Sequence, residues 1–431
     1  MRTPLRADAA PTGTAGPQLA APSRAMRIRV ITLCLLFGLV EGYDLQNLAL
    51  AVPTLAADWM KPVTAFSGAL AASIAGILFG TVLVGPFGDK WPRQTIIAWS
   101  CAAFALFSFV SAIASDLMTL FLCRFGIGFA AGACTPSAYA LIADFAPRTV
   151  ATRCLTAMTC MISLGALGGG LAAPALLARH SWPGLFVAGG LASGLLAIAV
   201  GLAMRDIPVL RIRQESKAYP SGSAAWFRES FVLPVARLWA DDLRGATLYL
   251  WLLWSFNSFT FYALANWLPS VLARNGFPLD TALRLASLTW AGGIVGGLLL
   301  AWLFDRSASK RLLLASTLLA GALVLLLMAV VAPTVAGWGA LLTAVGLAIG
   351  GIQSMIPALG ARVYPSAILA TGLSWGGAVG RGGALLAPLL GGAAIGHGLS
   401  AGVLLAMLAA PAAITAIVIA RLLAHGAPER I

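Results

Sequence analysis

Long apolar runs, broken at intervals by charged and turn-forming residues, extend over most of the sequence. A helix that spans the hydrocarbon core of a bilayer needs about 20 mainly apolar residues, and the runs have about that length. The chain is therefore predicted to be an all-α membrane protein with twelve transmembrane helices. The predicted helices cover residues 30–52, 66–88, 94–114, 117–142, 153–177, 184–204, 247–272, 281–304, 311–331, 335–358, 367–392 and 400–422.

A polar stretch that contains Pro208 and Pro220 divides the predicted helices into two sets of six. The segment Tyr43–Ala57 also echoes Phe259–Ala273 at an offset of 216 residues, which indicates that the two sets are repeats of one design. We predict five regions, which are a tail (1–26), a first half (27–204), a linker (205–246), a second half (247–423) and a second tail (424–431).

Composition and charge agree with a place in the membrane. Hydrophobic residues make up 60% of the 431 residues and charged residues only 10%, whereas soluble domains carry about 25% charged residues. The net charge of +13 would suit nucleic acid in a soluble protein, but the basic residues lie in loops. On one side of the predicted helices there are 22 Lys and Arg, and on the other side four. This asymmetry predicts a multi-pass protein of the cell (inner) membrane with both termini cytoplasmic, and no nucleic-acid partner.

Four charged residues lie more than one turn from either end of a predicted helix, where each costs about 2.5–3.5 kcal/mol on insertion scales. Glu41 and Asp44 lie three residues apart on one face of the first helix. Two carboxylates so close do not both ionise easily, which predicts a proton-coupling site. Arg124 and Arg381 each present a planar guanidinium that suits a carboxylate substrate. The alternative is that the arginines only pair with the acids and hold helices together.

Short motifs resemble a known family. The loop Gly85–Gln94 (GPFGDKWPRQ) is similar to the signature Gly-x-x-x-Asp-Arg/Lys-x-Gly-Arg-Arg of the major facilitator superfamily, with Pro92 in place of the second glycine. Within that superfamily, the segment from Glu41 to Asp44 resembles the Asp-Gly-x-Asp motif of the aromatic acid:proton symporters, with Glu41 replacing the first aspartate. The stretch from Tyr364 to Gly372 is similar to that family's eleventh-helix region.

The resemblance implies the major facilitator fold, with two six-helix halves around a central site. Asp44 is the preferred proton carrier, because Glu41 departs from the family residue and reaches one methylene further. Aromatic and amide residues near the expected cavity would suit a flat aromatic substrate beside Arg381 and Arg124. These residues are Tyr43, Trp254, Phe256, Asn257, Phe259, Tyr262, Gln353 and Trp375. A cytoplasmic gate is expected from Asp89, Arg93, Asp144, Arg148 and Arg153.

The sequence contains neither a phosphate-binding Gly-x-x-x-x-Gly-Lys-Ser/Thr loop nor a catalytic motif such as His-Glu-x-x-His. We therefore expect neither an ATP-driven pump nor an enzyme, and no cofactor besides the proton as coupling ion. The predicted function is proton-coupled uptake of a small aromatic or related organic carboxylate by alternating access, with a monomer as the functional unit. The alternatives are an exporter of drugs or metabolites, to which Ala387–Gly392 is partly similar, and a channel or transport-inactive sensor.

Overall fold

The structure is a computed structural model, and it describes residues 23–84, 92–147, 150–205, 233–240, 243–307, 309–331, 334–365 and 368–425. Twelve long helices lie within these ranges. They are α1 (Arg24–Asp58), α2 (Ser67–Val84), α3 (Arg93–Ala112), α4 (Leu117–Phe145), α5 (residues 151–180), α6 (residues 182–203), α7 (Arg244–Arg274), α8 (Leu279–Arg306), α9 (Lys310–Val330), α10 (Val335–Val363), α11 (Leu369–Gly396) and α12 (Ala401–His425).

The described residues contain nine helical stretches that are long and apolar enough to cross a membrane. One of them, Arg153–Ala203, holds both α5 and α6. The helices α1 and α7 fall outside this group, and α1 carries Glu41, Asp44 and Gln46 near its middle. The predicted all-α fold with twelve transmembrane helices is confirmed.

Helix pairs within each half approach closely at glycine residues, where no side chain separates the two backbones. In the first half, a Cβ atom at Gly42 would lie 1.8 Å from the carbonyl oxygen of Ile162, so α1 packs directly on α5 at this point. In the second half, a Cβ atom at Gly383 would lie 2.1 Å from the carbonyl oxygen of Ser255, and α11 packs on α7 in the same way. Small residues permit such contacts between helices in lipid. The two contacts fix the backbone beside Glu41 and Arg381.

The two halves meet at one end of the bundle. We call the end at which α1 begins and α12 ends the terminal end, and the opposite end the far end. Towards the far end, Leu55 of α1 belongs to one buried apolar cluster with Trp267 of α7 and Leu283 of α8. At the terminal end, the described residues form two separate apolar clusters, one in each half. The shared apolar cluster of the two halves therefore lies towards the far end.

Several details of the helices differ from the prediction. The apolar run at 30–52 predicts too short a first helix. In the structure α1 extends from Arg24 to Asp58, because the polar residues at its two ends are also helical. A π-helical turn, Gly346–Gly350, lies inside α10, and a short helix, Leu233–Leu238, lies in the predicted linker. Most of both predicted tails and of the linker falls outside the described residues.

The junction of α5 and α6 is a strained turn at the far end. Ser181 has φ 54° and ψ −164°, a backbone conformation that is almost restricted to glycine. The next residue, Trp182, donates its indole N–H to Asp58 Oδ2 at 2.9 Å, which ties this turn to the end of α1. Apolar periodicity places a break between the two helices but does not show this strain, because serine is an ordinary loop residue.

Replacing Ser181 by glycine is expected to stabilise the folded protein by about 1 kcal/mol, because glycine adopts this conformation without the Cβ clash. Thermal unfolding in detergent measures the effect. Ser163→Gly is the matched control, since Ser163 lies within helical α5 and glycine there should lower stability by about 0.5–1 kcal/mol. Destabilisation by Ser181→Gly would show that the strain at Ser181 is absent in the protein.

Candidate transport site

The first buried charge pair joins α1 and α4 within the first half. Arg124 Nη1 donates to Asp44 Oδ1 at 3.2 Å, and Arg124 Nη2 donates to the carbonyl oxygen of Asp44 at 2.8 Å. Arg124 Nε donates to Ser73 Oγ of α2 at 3.1 Å. Only about 1% of the Arg124 side chain is exposed, so this ion pair is shielded from solvent. The geometry supports the alternative in which Arg124 holds helices together rather than the one in which it binds substrate.

Glu41 lies one turn from Asp44 and has a different environment. Its Oε1 accepts a hydrogen bond from Thr135 Oγ1 of α4 at 2.9 Å. Its Oε2 is buried and has no hydrogen-bond partner among the described residues. A buried oxygen without a partner is costly for an ionised carboxylate, whereas a neutral carboxyl group requires fewer partners. One of the two Glu41 carboxyl oxygens is thus satisfied by Thr135, and the other is not satisfied by the described residues.

Arg381 lies near the middle of α11 and comes from the second half. Its side chain is partly buried, and it interacts electrostatically with Glu41, Tyr139 and Tyr262. Within the described residues, Arg381 forms no salt bridge and no hydrogen bond. A guanidinium carries five N–H donors in a planar fork that fits a carboxylate. These donors remain available for an anion that enters between the halves.

Two residues that sequence reasoning did not mark, Tyr139 and Thr135, lie at this site together with Tyr262, which it placed near the cavity. Tyr139 of α4 shares a hydrogen bond of 3.0 Å with Thr159 of α5, and its ring is part of the electrostatic surroundings of Arg381. Tyr262 of α7, in the second half, is also part of the electrostatic surroundings of Arg381. Thr135 is the hydrogen-bond donor to Glu41. No motif marks these residues, but each lies on a helix that also carries a predicted site residue or its partner.

Several of the other predicted binding residues have contacts within one half of the protein. Tyr43 donates its hydroxyl to the carbonyl oxygen of Leu185 at 2.7 Å, so it packs inside the first half. Asn257 donates to Gln353 Oε1 at 2.7 Å, and Gln353 Nε2 donates to Ser258 Oγ at 3.1 Å. These amides form a polar network between α7 and α10 of the second half. Trp375 of α11 is 39% exposed.

The predicted gate is only partly described. Arg93 at the start of α3 forms an ion pair with Asp144 near the end of α4, which joins two helices at the terminal end. Arg153 of α5 is exposed. Asp89 and Arg148 lie outside the described residues, and the gate as a whole stays a prediction.

Comparison with known proteins identifies the family. The model of the Major Facilitator Superfamily matches residues 34–388. The chain belongs to this superfamily. The facilitator is 27% identical to the 4-hydroxybenzoate transporter PcaK of Acinetobacter baylyi, over 93% of this chain and 92% of that protein. It is 33% identical to the 3-(3-hydroxy-phenyl)propionate transporter of Escherichia coli, over 84% and 85% of the two chains.

The fold of this facilitator also agrees with solved structures. The crystal structure of the nucleoside transporter NupG matches it with a TM-score of 0.71 and 14% sequence identity, over 91% of this chain and 98% of that chain. The facilitator is thus a membrane transporter, related to transporters of aromatic acids, and not an enzyme.

The ion pair between Asp44 and Arg124 predicts unequal effects of neutralising the two acids of α1. Asp44→Asn leaves the buried Arg124 charge without its partner, so the free energy of unfolding should fall by about 3–5 kcal/mol. Glu41→Gln removes a carboxylate with an unpartnered oxygen and should change stability by less than about 1 kcal/mol. Unfolding in mixed micelles measures both. The double change Asp44→Asn with Arg124→Gln should recover most of the loss, and its failure to do so would refute the pairing.

Proposed function

We propose that this facilitator imports a small aromatic carboxylate together with a proton, by alternating access of a site between its two halves. Its place in the cell membrane, with both termini cytoplasmic, follows from the charge asymmetry of the loops. The related transporters of 4-hydroxybenzoate and of 3-(3-hydroxy-phenyl)propionate support the substrate class. The observation that carries the proposal is that Glu41 of the first half and Arg381 of the second are electrostatic neighbours without a direct ion pair.

Substrate binding is assigned to Arg381. Its guanidinium has no acidic partner at salt-bridge distance among the described residues, and Tyr139 and Tyr262 supply aromatic surfaces near it. An anion in this position would interact with both halves at once. Because the halves pack together at the far end, the substrate would leave or enter this state from the terminal end.

Proton coupling is assigned to Glu41 in preference to Asp44, since Asp44 is already paired with Arg124. Without substrate, ionised Glu41 balances Arg381, and the site is neutral. When the substrate carboxylate binds Arg381, a proton on Glu41 keeps the site neutral. If Glu41 stayed ionised, the loaded site would carry an unmatched negative charge inside the membrane, which is costly. Substrate and proton therefore bind together.

The first test replaces Glu41 by glutamine, which keeps the size of the side chain and removes its titratable proton. In proteoliposomes, Glu41→Gln is expected to lose accumulation of 4-hydroxybenzoate driven by an inward proton gradient. It should retain exchange of labelled for unlabelled substrate without a gradient, because exchange needs no net proton movement. Gradient-driven accumulation at the wild-type level would contradict the assignment, and loss of both activities would point to a binding role for Glu41.

The second test replaces Arg381 by lysine, which keeps the charge and loses the planar fork. Loss of one charge-assisted hydrogen bond, worth about 1.5–3 kcal/mol, should weaken 4-hydroxybenzoate binding roughly tenfold to hundredfold. Calorimetry in detergent measures the affinity. Arg274→Lys is the control, because Arg274 is exposed at the end of α7, away from the site. Affinity of Arg381→Lys within twofold of wild type would remove Arg381 from the substrate site.

A further inference from the structure

A groove near the far end lies outside the transport site, on the surface that faces lipid. It has a volume of about 470 Å³ and lies between α5 of the first half and α8 and α10 of the second. Leu171, Leu288, Val335 and Ala340 supply apolar walls. This volume is within the range of roughly 300–1,000 Å³ that is common for small-molecule sites. The groove is thus large enough for an apolar chain.

The rim of the groove is polar, because Arg284 and Thr281 of α8 also line it. The side chain of Arg284 is exposed, and it forms no hydrogen bond or salt bridge with any other described residue. Arg284 lies five residues after the start of α8, which is about 7.5 Å along the helix axis. In a bilayer of about 40–45 Å with a hydrocarbon core of about 30 Å, this depth is close to the headgroup boundary.

We propose that this groove binds one glycerophospholipid, with an acyl chain along the apolar walls and the phosphate on Arg284. A guanidinium binds a phosphate through two parallel hydrogen bonds, and an arginine beside lipid needs an anionic counter-charge. Asp280 is exposed next to Thr281 and accepts a hydrogen bond from its hydroxyl at 3.4 Å. The acidic neighbour limits attraction for highly charged headgroups, so the recognised feature is the phosphate itself.

A lipid bound in the groove would contact both halves of the protein. Leu171 belongs to the first half, whereas Leu288 and Val335 belong to the second, so one lipid contacts both halves near the far end. A ligand that binds one arrangement of a protein better than another stabilises that arrangement. The lipid is therefore expected to favour the arrangement in which the two halves pack together at the far end.

The test measures lipid binding to the full chain in detergent by native mass spectrometry, without substrate. The probes are phosphatidylglycerol and a diacylglycerol with the same acyl chains, which lacks the phosphate. Wild type should bind one phosphatidylglycerol roughly tenfold more tightly than the diacylglycerol, as expected from one charge-assisted contact. Arg284→Ala should remove this preference. Ala340→Trp should weaken binding of both probes, because Ala340 is exposed in the groove and tryptophan would fill it.

Two control variants make the same kinds of change elsewhere. Arg274→Ala removes another exposed far-end arginine, and Leu323→Trp adds a bulky ring at a position of α9 that is 65% exposed. Both should bind phosphatidylglycerol like wild type. Wild-type binding by Arg284→Ala, equal binding of the two probes, or equal losses in the controls would each overturn the proposal. Because no substrate is present, these outcomes are independent of the transport function.

Discussion

Matching of charge inside the membrane determines how this transporter is arranged. The hydrocarbon core of a bilayer offers no counter-charge, so each ionised side chain at that depth must find its partner within the protein. Asp44 and Arg124 meet this requirement inside the first half, and their ion pair also holds α1 against α4. Glu41 and Arg381 come from different halves, and among the described residues neither forms an ion pair within its own half. Their balance depends on how the two halves face each other and on what lies between them.

Close helix packing places these charges with little freedom. Gly42 follows Glu41 and brings α1 onto the backbone of α5, so this contact fixes the backbone that carries the Glu41 side chain. Gly383 has the same effect near Arg381, where α11 meets α7. The two halves thus present their charged residues from helices that are fixed by backbone contact, and the adjustable surface is the interface between the halves.

The sequence predicted the helices and the four buried charges, because apolar length and the cost of a charge in lipid are local properties. It did not decide which acid pairs with Arg124, since Asp44 and Glu41 are only three residues apart and Arg124 is 80 residues from Asp44. Helix rotation decides that question, and uniformly apolar helices carry little information on rotation. Tyr139 was not assigned for the same reason, because tyrosines at helical spacing look alike on packed and cavity-facing sides.

The proposed coupling also explains why direction of transport is hard to infer from a sequence. A loaded site without a proton would carry one unmatched charge, and at about 2.5–3.5 kcal/mol this state would be roughly a hundredfold rarer than the neutral one. That ratio limits how much substrate crosses without a proton, and it is the same for movement in either direction. Glu41 and Arg381 would thus set the tightness of coupling, whereas the proton gradient across the membrane would set import or export.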